Sequence, residues 1–389
     1  MEIHTMKFAE RMSHLGTETA FEVLARARAL EAQGREIVHL EIGEPDFDTP
    51  DNIKEAAVKA LREGFTHYGP SAGLPELRAE IAAYISRHRG VAVDPAQVVV
   101  TPGAKPIIFF TALALLDPGD EVIYPNPGFP IYESMIDYVG ATRVPIPLLE
   151  KNKFAFDPDQ LESLITKKTR LVVINSPQNP TGGILPRETI ARLCELAVKH
   201  DFYVLSDEIY SRMIYDGDHV TPYSFPGMPE RTIILDGHSK TYAMTGWRLG
   251  YGVFPAEMAV RIAKLQTNSN SCTCSFTQVA GVEALRGPQD SVDRMVAEFR
   301  ARRDLIVDGL NGIPGFSCHK PSGAFYVFPN IKETGKTSKQ MEDHLMNKAG
   351  VAVLAGTAFG QYGEGYIRLS YANSQANIKK AIACIKQSL

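Results

Sequence analysis

A chain of 389 residues is long enough for two or three domains that each bury a core, and its 44% apolar and 22% charged content is that of an ordinary globular protein, neither disordered nor fibrous. Lys and Arg number 41 against 45 Asp and Glu, a formal net charge of −4, so no overall basic field exists to gather nucleic acid or an anionic membrane, and any anion site has to be local. The longest apolar run, Ile107 to Leu116, is about half a membrane span, and the opening MEIHTMKFAERMSHLG lacks the apolar core of a signal peptide, so a cytoplasmic protein is expected.

Taken in chain order, Leu77, Ile81, Tyr84 and Ile85 form the apolar face of a helix, and Val98 to Thr101 reads as a strand. The segment TPGAKP then opens a second helix, because Pro106 is tolerated only in a first helical turn. Further strands are predicted at Glu121 to Tyr124, Thr169 to Asn175, Phe202 to Ser206, Thr232 to Leu235 and Trp247 to Val253, with a helix marked by Ile190, Leu193, Cys194 and Ala197 among them. Leu171 to Ile174 are apolar at successive positions, as in strands covered on both faces, which describes a parallel sheet flanked by helices. After about Gly287 come a long charged helix containing EFRARRDLIVDGL, strands within GFSCHKPSGAFYVF and YIRLSYA, and a terminal helix, which reads as a smaller α+β domain. The fold class is therefore α/β, a large domain with a mainly parallel sheet plus a smaller α+β domain. Five cysteines are an odd count without paired CxxC blocks, so neither a disulfide framework nor a metal site is expected, and Cys272 and Cys274 are read as plain thiols.

In open α/β sheets ligands gather at the carboxyl ends of the strands. TPGAK at 101–105 is a helix start after a strand, where small residues let a phosphate approach free N–H groups and the positive end of the helix dipole. Neither a P-loop nor a G-x-G-x-x-G is found, so the phosphate belongs to something smaller than a nucleotide. GHSKT at 237–241 approaches a serine-hydrolase elbow but ends in Thr where Gly is required. Lys240 follows the apolar run TIIL; it either snorkels to solvent or is an amine whose pKa is lowered for Schiff-base chemistry, with Arg248 as a nearby cation and phosphate clamp. Asp207 and Tyr210 follow another strand; they are either a cap and a core phenol, or the anion that protonates a pyridine nitrogen and the donor to a phenolate oxygen that pyridoxal 5'-phosphate requires.

Together the motifs GEPDFDTP, YGPSAGLPELR, SPQNPTGG, SDEIY, SKTYAMTGWRLGY and PSGAFYVF carry a resemblance, spanning nearly the whole chain, to the class I/II aminotransferases of pyridoxal-phosphate fold type I. The resemblance implies that residues 1–48 form an N-terminal segment packing with the small domain, 49–286 the large cofactor-binding domain and 287–389 the small domain. It also implies that Lys240 holds the cofactor as a Schiff base and later moves the substrate proton, that Asp207 pairs with the ring nitrogen, and that Tyr210 and Asn179 serve the phenolic oxygen. The phosphate would meet the backbone of Ala104 and Lys105, with Arg248, Ser239 and, from a second copy, Tyr68. That last contact implies a homodimer with shared active sites. Arg368 would clamp the substrate carboxylate, assisted by Gly43 and Asn179, and a planar guanidinium suits that task.

Departures from the family pattern are Phe129, where many relatives stack a larger aromatic on the ring, Gly237 in place of a serine, and His238, read as structural. The implied function is a ping-pong transaminase acting on amino acids and 2-oxo acids. No second arginine is placed for a distal carboxylate, and Phe21 and Phe129 favour an apolar or aromatic donor as much as aspartate. A lyase performing β-elimination or ring-forming elimination on the same scaffold is the alternative. A non-catalytic DNA-binding regulator would need a basic module that this sequence lacks.

Overall fold

The computed structural model describes residues 6–389. Its strands are β1 (Val38–His39), β2 (Val98–Thr101), β3 (Glu121–Asn126), β4 (Thr142–Pro147), β5 (Thr169–Asn175), β6 (Tyr203–Asp207), β7 (Thr232–Gly237), β8 (Gly250–Val253), β9 (Tyr326–Val327), β10 (Val351–Ala352), β11 (Leu354–Ala355) and β12 (Ile367–Ser370). The helices that matter below are α1 (Ala20–Glu31), α2 (Asp51–Arg62), α3 (Pro75–Arg89), α4 (Lys105–Leu115), α5 (Pro130–Tyr138), α6 (Pro158–Leu164), α7 (Arg187–His200) and the single turn α8 (His238–Thr241). They are followed by α9 (Ala256–Asn270), α10 (Ser275–Arg286), the long α11 (Asp290–Asn311), α12 (Ser338–His344) and α13 (Gln375–Ser388).

Strands β2 to β8 make one seven-stranded sheet in the order β2-β8-β7-β6-β5-β3-β4. Val98–Thr101 and Thr232–Gly237 are buried at every position, as the unbroken apolar runs require of strands covered on both faces. The sheet is not wholly parallel: β8 runs antiparallel to both β7 and β2. It follows β7 through α8 and a compact turn, and a connection with no crossover helix has to reverse direction. The expected strand start at Trp247 moves to Gly250 for the same reason, since Trp247 N–H closes a turn on Met244 and Arg248 holds φ of 55°. Strand β4, absent from the sequence reading, lies at the sheet edge, where Pro145 and Pro147 are tolerated.

Register brings the chemistry to one place. Asn175 lies opposite Asp207, Asp207 opposite Leu235, and Gly250 opposite both Gly237 and Thr101. Four strand ends and the start of α4 therefore share one edge. Above it lies a three-stranded antiparallel sheet, β11-β12-β9, in which β12 carries Arg368. Within GFSCHKPSGAFYVF only Tyr326–Val327 is strand; Ser317 makes a single bridge to Asn330 and Gly323 a single bridge to Ile214. The N-terminal segment joins this second region through β1, which pairs in parallel with β10, and Ser370 N–H donates to Leu40 O at 2.7 Å. Among the described residues no helix is long and apolar enough to cross a membrane.

Candidate active site

Asp207 ends β6 with only 5% of its surface exposed. Tyr132 of α5 donates its hydroxyl to Asp207 Oδ2 at 2.5 Å, and Ile209 N–H donates to Oδ1 at 3.2 Å. Burial pushes this carboxyl up to about 7, and those two hydrogen bonds hold it from going higher. Asn175, at the end of β5, donates to Asp207 O at 3.0 Å and accepts from Asn179 N–H at 2.8 Å, so the NPTG turn is tied to the acid. Tyr210, three residues on, is buried with its hydroxyl 2.8 Å from that of Tyr326.

Lys240 sits in α8, directly after β7, beside the buried Ser239. Its Nζ donates to Gly43 O at 2.6 Å and lies 5.8 Å from the Phe325 ring. Burial lowers this amine to about 8; Glu44 and Glu18 oppose the shift, while Lys105 and Arg368 add to it. At that value roughly a tenth of the amine is neutral at pH 7, against well under a thousandth for an ordinary lysine. Capture of an aldehyde by this amine is therefore expected to speed up about tenfold per pH unit below about pH 8 and to level off above it, which stopped-flow absorbance would follow.

The start of α4 packs against the turn after α8. Gly103 holds φ of 85°, and a Cβ there would meet Arg248 Nη2 at 2.2 Å; one on Gly250 would meet Ala104 N at 2.5 Å. Only small residues allow the main chain of 103–105 this close to the guanidinium. Arg248 is anchored by a 2.7 Å hydrogen bond to Thr245 O and is otherwise exposed. The side chain of Lys105 is half exposed, bonds Glu18 and lies 5.6 Å from the Phe129 ring.

Arg368 is 4% exposed, and among the described residues no carboxylate pairs with it. Its Nη1 donates to Asn179 Oδ1 at 3.3 Å, its Nη2 to Glu41 O, and its Nε has no partner. Burial lowers its pKa, with the phenols of Tyr326 and Tyr210 opposing. A buried guanidinium without a counter-ion is costly unless an anion is meant to meet it.

Most of these groups meet at one cavity of about 430 Å³, within the size range of small-molecule sites. Gly43, Ala104, Lys105, Phe129, Asn179, Asp207, Tyr210, Ser239, Lys240, Arg248 and Arg368 all reach it. Tyr68 does not; it is 89% exposed on the surface. The sequence reading missed Tyr132, Tyr326, Asn175 and Glu18. Asn175 and Tyr326 lay beside or inside quoted motifs; Tyr132 and Glu18 carried no local signal. Gly43 is pinned by Tyr326, whose hydroxyl would lie 2.2 Å from an added Cβ and cannot swing away because Tyr326 is buried and bonded to Tyr210. Gly43→Ala is expected to cost about 1–3 kcal/mol of stability by overpacking, read by urea denaturation, and to raise KM by disturbing both phenols.

Comparison with known proteins shows the family. Residues 35–385 match the family model described as aminotransferase class I and II. The chain is 42% identical to an aspartate aminotransferase of Pyrococcus horikoshii, over 98% of this chain and 97% of that one. It is 41% identical to aromatic-amino-acid aminotransferase 2 of Thermococcus litoralis, over 90% and 91%. Among solved structures, the aspartate aminotransferase from Thermus thermophilus with maleate superposes with a TM-score of 0.95 at 38% identity, covering 99% of this chain and all of that one. A match of this extent in both sequence and structure means that the chain belongs to the class I and II aminotransferase family.

Proposed function

We propose that this pyridoxal-phosphate-dependent aminotransferase uses the cavity beneath Arg368 to exchange amino groups between aspartate or aromatic amino acids and 2-oxo acids, with Lys240 as its acid-base group. The observation that carries this reading is the convergence of a lysine amine of lowered pKa, a buried acid and an unpaired buried arginine on one cavity.

The residues present fit the cofactor. Gly103 and Gly250 shape a main-chain cradle facing Arg248 at the start of α4, the chemistry a phosphate requires. Asp207, held between Tyr132 and Ile209 N–H, is an acid whose proton affinity a ring nitrogen can match. In this reading the main chain of Ala104 and Lys105, with Ser239 and Arg248, holds the phosphate, Asp207 the ring nitrogen, Tyr210 and Asn179 the phenolic oxygen, and Phe129 covers a ring face. When bound, pyridoxal 5'-phosphate supplies an aldehyde for amines and a ring that accepts electrons from the substrate's α-carbon.

Arg368, with Asn179 and the main chain at Gly43, orients the substrate by its carboxylate, presenting the α-proton to Lys240. Lys240 Nζ takes that proton and, as the ammonium, returns it. The low pKa of the amine suits a base working near neutrality. With Lys240, Arg248 and Arg368 assigned, Lys105 is the remaining cavity cation for a second carboxylate, and its pairing with Glu18 leaves it neutralised when an aromatic side chain enters beside Phe21 and Phe129.

A donor panel tests this: aspartate and phenylalanine should each discharge the cofactor absorbance, and a 2-oxo acid should restore it. Discharge by neither sinks the substrate reading, and pyruvate with ammonia released without an acceptor would favour the lyase alternative. The division into residues 1–48, 49–286 and 287–389 is supported by the pairing of β1 with β10. A homodimer is supported by the exposure of Tyr68, which a partner's site would cover; light scattering reads it. A cytoplasmic setting is supported by five free thiols.

A further inference from the structure

Behind Asp207, on the side away from the cavity, the end of α3 delivers a charge that none of the chemistry above uses. Arg89, with 2% of its side chain exposed, donates from Nε to Glu208 Oε2 at 2.9 Å and from Nη2 to Asp236 Oδ2 at 2.7 Å and Ser211 Oγ at 2.8 Å. Glu208 is the next residue after Asp207, and Asp236 follows Leu235, the residue that faces Asp207 across the sheet. Three carboxylates are thus buried together at two neighbouring strand ends, and Arg89 is bonded to the two that do not face the cavity.

We infer that Arg89 is a positioning residue that neutralises Glu208 and Asp236, so that Asp207 alone presents negative charge to the cofactor's ring nitrogen. The inference rests on the ring contact proposed for Asp207. Buried like charges at this range raise one another's proton affinity, and without a cation the three acids would compete for protons. Burial pushes Glu208 up, yet His219 and Arg89 overcome it and leave the group at about 2. Asp236 is raised to about 6 by burial, with Arg89 the largest opposing influence. Around the cluster, Ser206 donates to Glu208 Oε1 at 3.0 Å, His219 Nε2 lies 2.8 Å from Glu208 Oε2, and the Tyr84 ring lies 6.0 Å from the Arg89 guanidinium. Tyr251 of β8 and Tyr242 after α8 complete it, and burial pushes both phenols up, so they stay neutral. His219 is left in place in every variant below.

The test is the pH titration of the visible absorbance of the bound cofactor in purified holoenzyme, a readout independent of turnover. Arg89→Met leaves surplus negative charge and should raise the titration midpoint by about one pH unit; Asp236→Asn leaves surplus positive charge and should lower it by a similar amount. Arg89→Met/Asp236→Asn should return it close to the parental value. If Arg89→Met does not fold, the downward shift in Asp236→Asn and the return in the double variant carry the test. Shifts of the same sign in both single variants, as general loosening would give, or no shift in either, overturn the neutralising role alone. Asp207→Asn is the reference: if it leaves the titration unchanged, the ring contact itself fails and the role of Arg89 with it.

Discussion

Lys240→Ala is expected to stay folded, to retain the cofactor only non-covalently, and to turn over more slowly by roughly 10⁴-fold or more, the upper end of what positioned acid-base groups supply. Two functions are lost at once. In the roles proposed above, the amine is the nucleophile that attaches the aldehyde and the group that carries the α-proton. Removing it spares the fold because its one hydrogen bond, to Gly43 O, ties down an amine that burial already disfavours in its charged form. Borohydride reduction followed by mass spectrometry should find the cofactor fixed at residue 240 in the parent and nowhere in the variant. A small external amine should restore part of the turnover, as it can replace the base but not its placement. Turnover near the parental rate, or a covalent adduct on another lysine, would overturn the assignment.

Arg368→Ala should lower kcat/KM for every α-amino acid by about 2–5 kcal/mol, the cost of truncating one partner of a buried charged pair, or roughly thirty- to several-thousand-fold. Arg368→Lys should recover only part of this, since an ammonium cannot reproduce the two-pronged contact. Stability should move the other way. The guanidinium is buried without a carboxylate and with Nε unpartnered, so its removal relieves a desolvation cost, and the thermal midpoint should hold or rise. A fall in kcat/KM that merely tracks a fall in thermal midpoint would mean that Arg368 is structural.

Much of this was legible in the residues themselves, for a physical reason that varies with the element. The strands at Val98–Thr101 and Thr169–Asn175 were readable to the residue because burial on both faces demands successive apolar side chains. The start of α4 was readable from Pro106. Strand β4 was not, since its prolines contradict strand propensity and only its edge position reconciles them. Lys240, Asp207 and Tyr210 announced themselves as charged or phenolic groups just past apolar runs. Arg368 did not; on sequence alone it is an arginine in a strand, and the motif resemblance singled it out. Tyr132 illustrates what no local pattern holds: its bond to Asp207 joins α5 to the end of β6 across 75 residues of sequence, a meeting set by the whole sheet. Lys105 fell between these cases, its backbone role readable from the helix start and its side chain's pairing with Glu18 set by tertiary contact.

The pairing of β1 with β10 imposes a sequence on biosynthesis. Asp207 ends β6 and Lys240 follows β7, and the strands of their sheet, β2 to β8, have all been synthesised by Val253. That sheet is therefore complete while the chain is still growing. Arg368 is made later than all of these, and β1, made before them, waits for Val351 and Ala352 before its own partner exists. In the roles proposed above, a nascent chain thus possesses its reactive amine well before the group that would select what the amine meets.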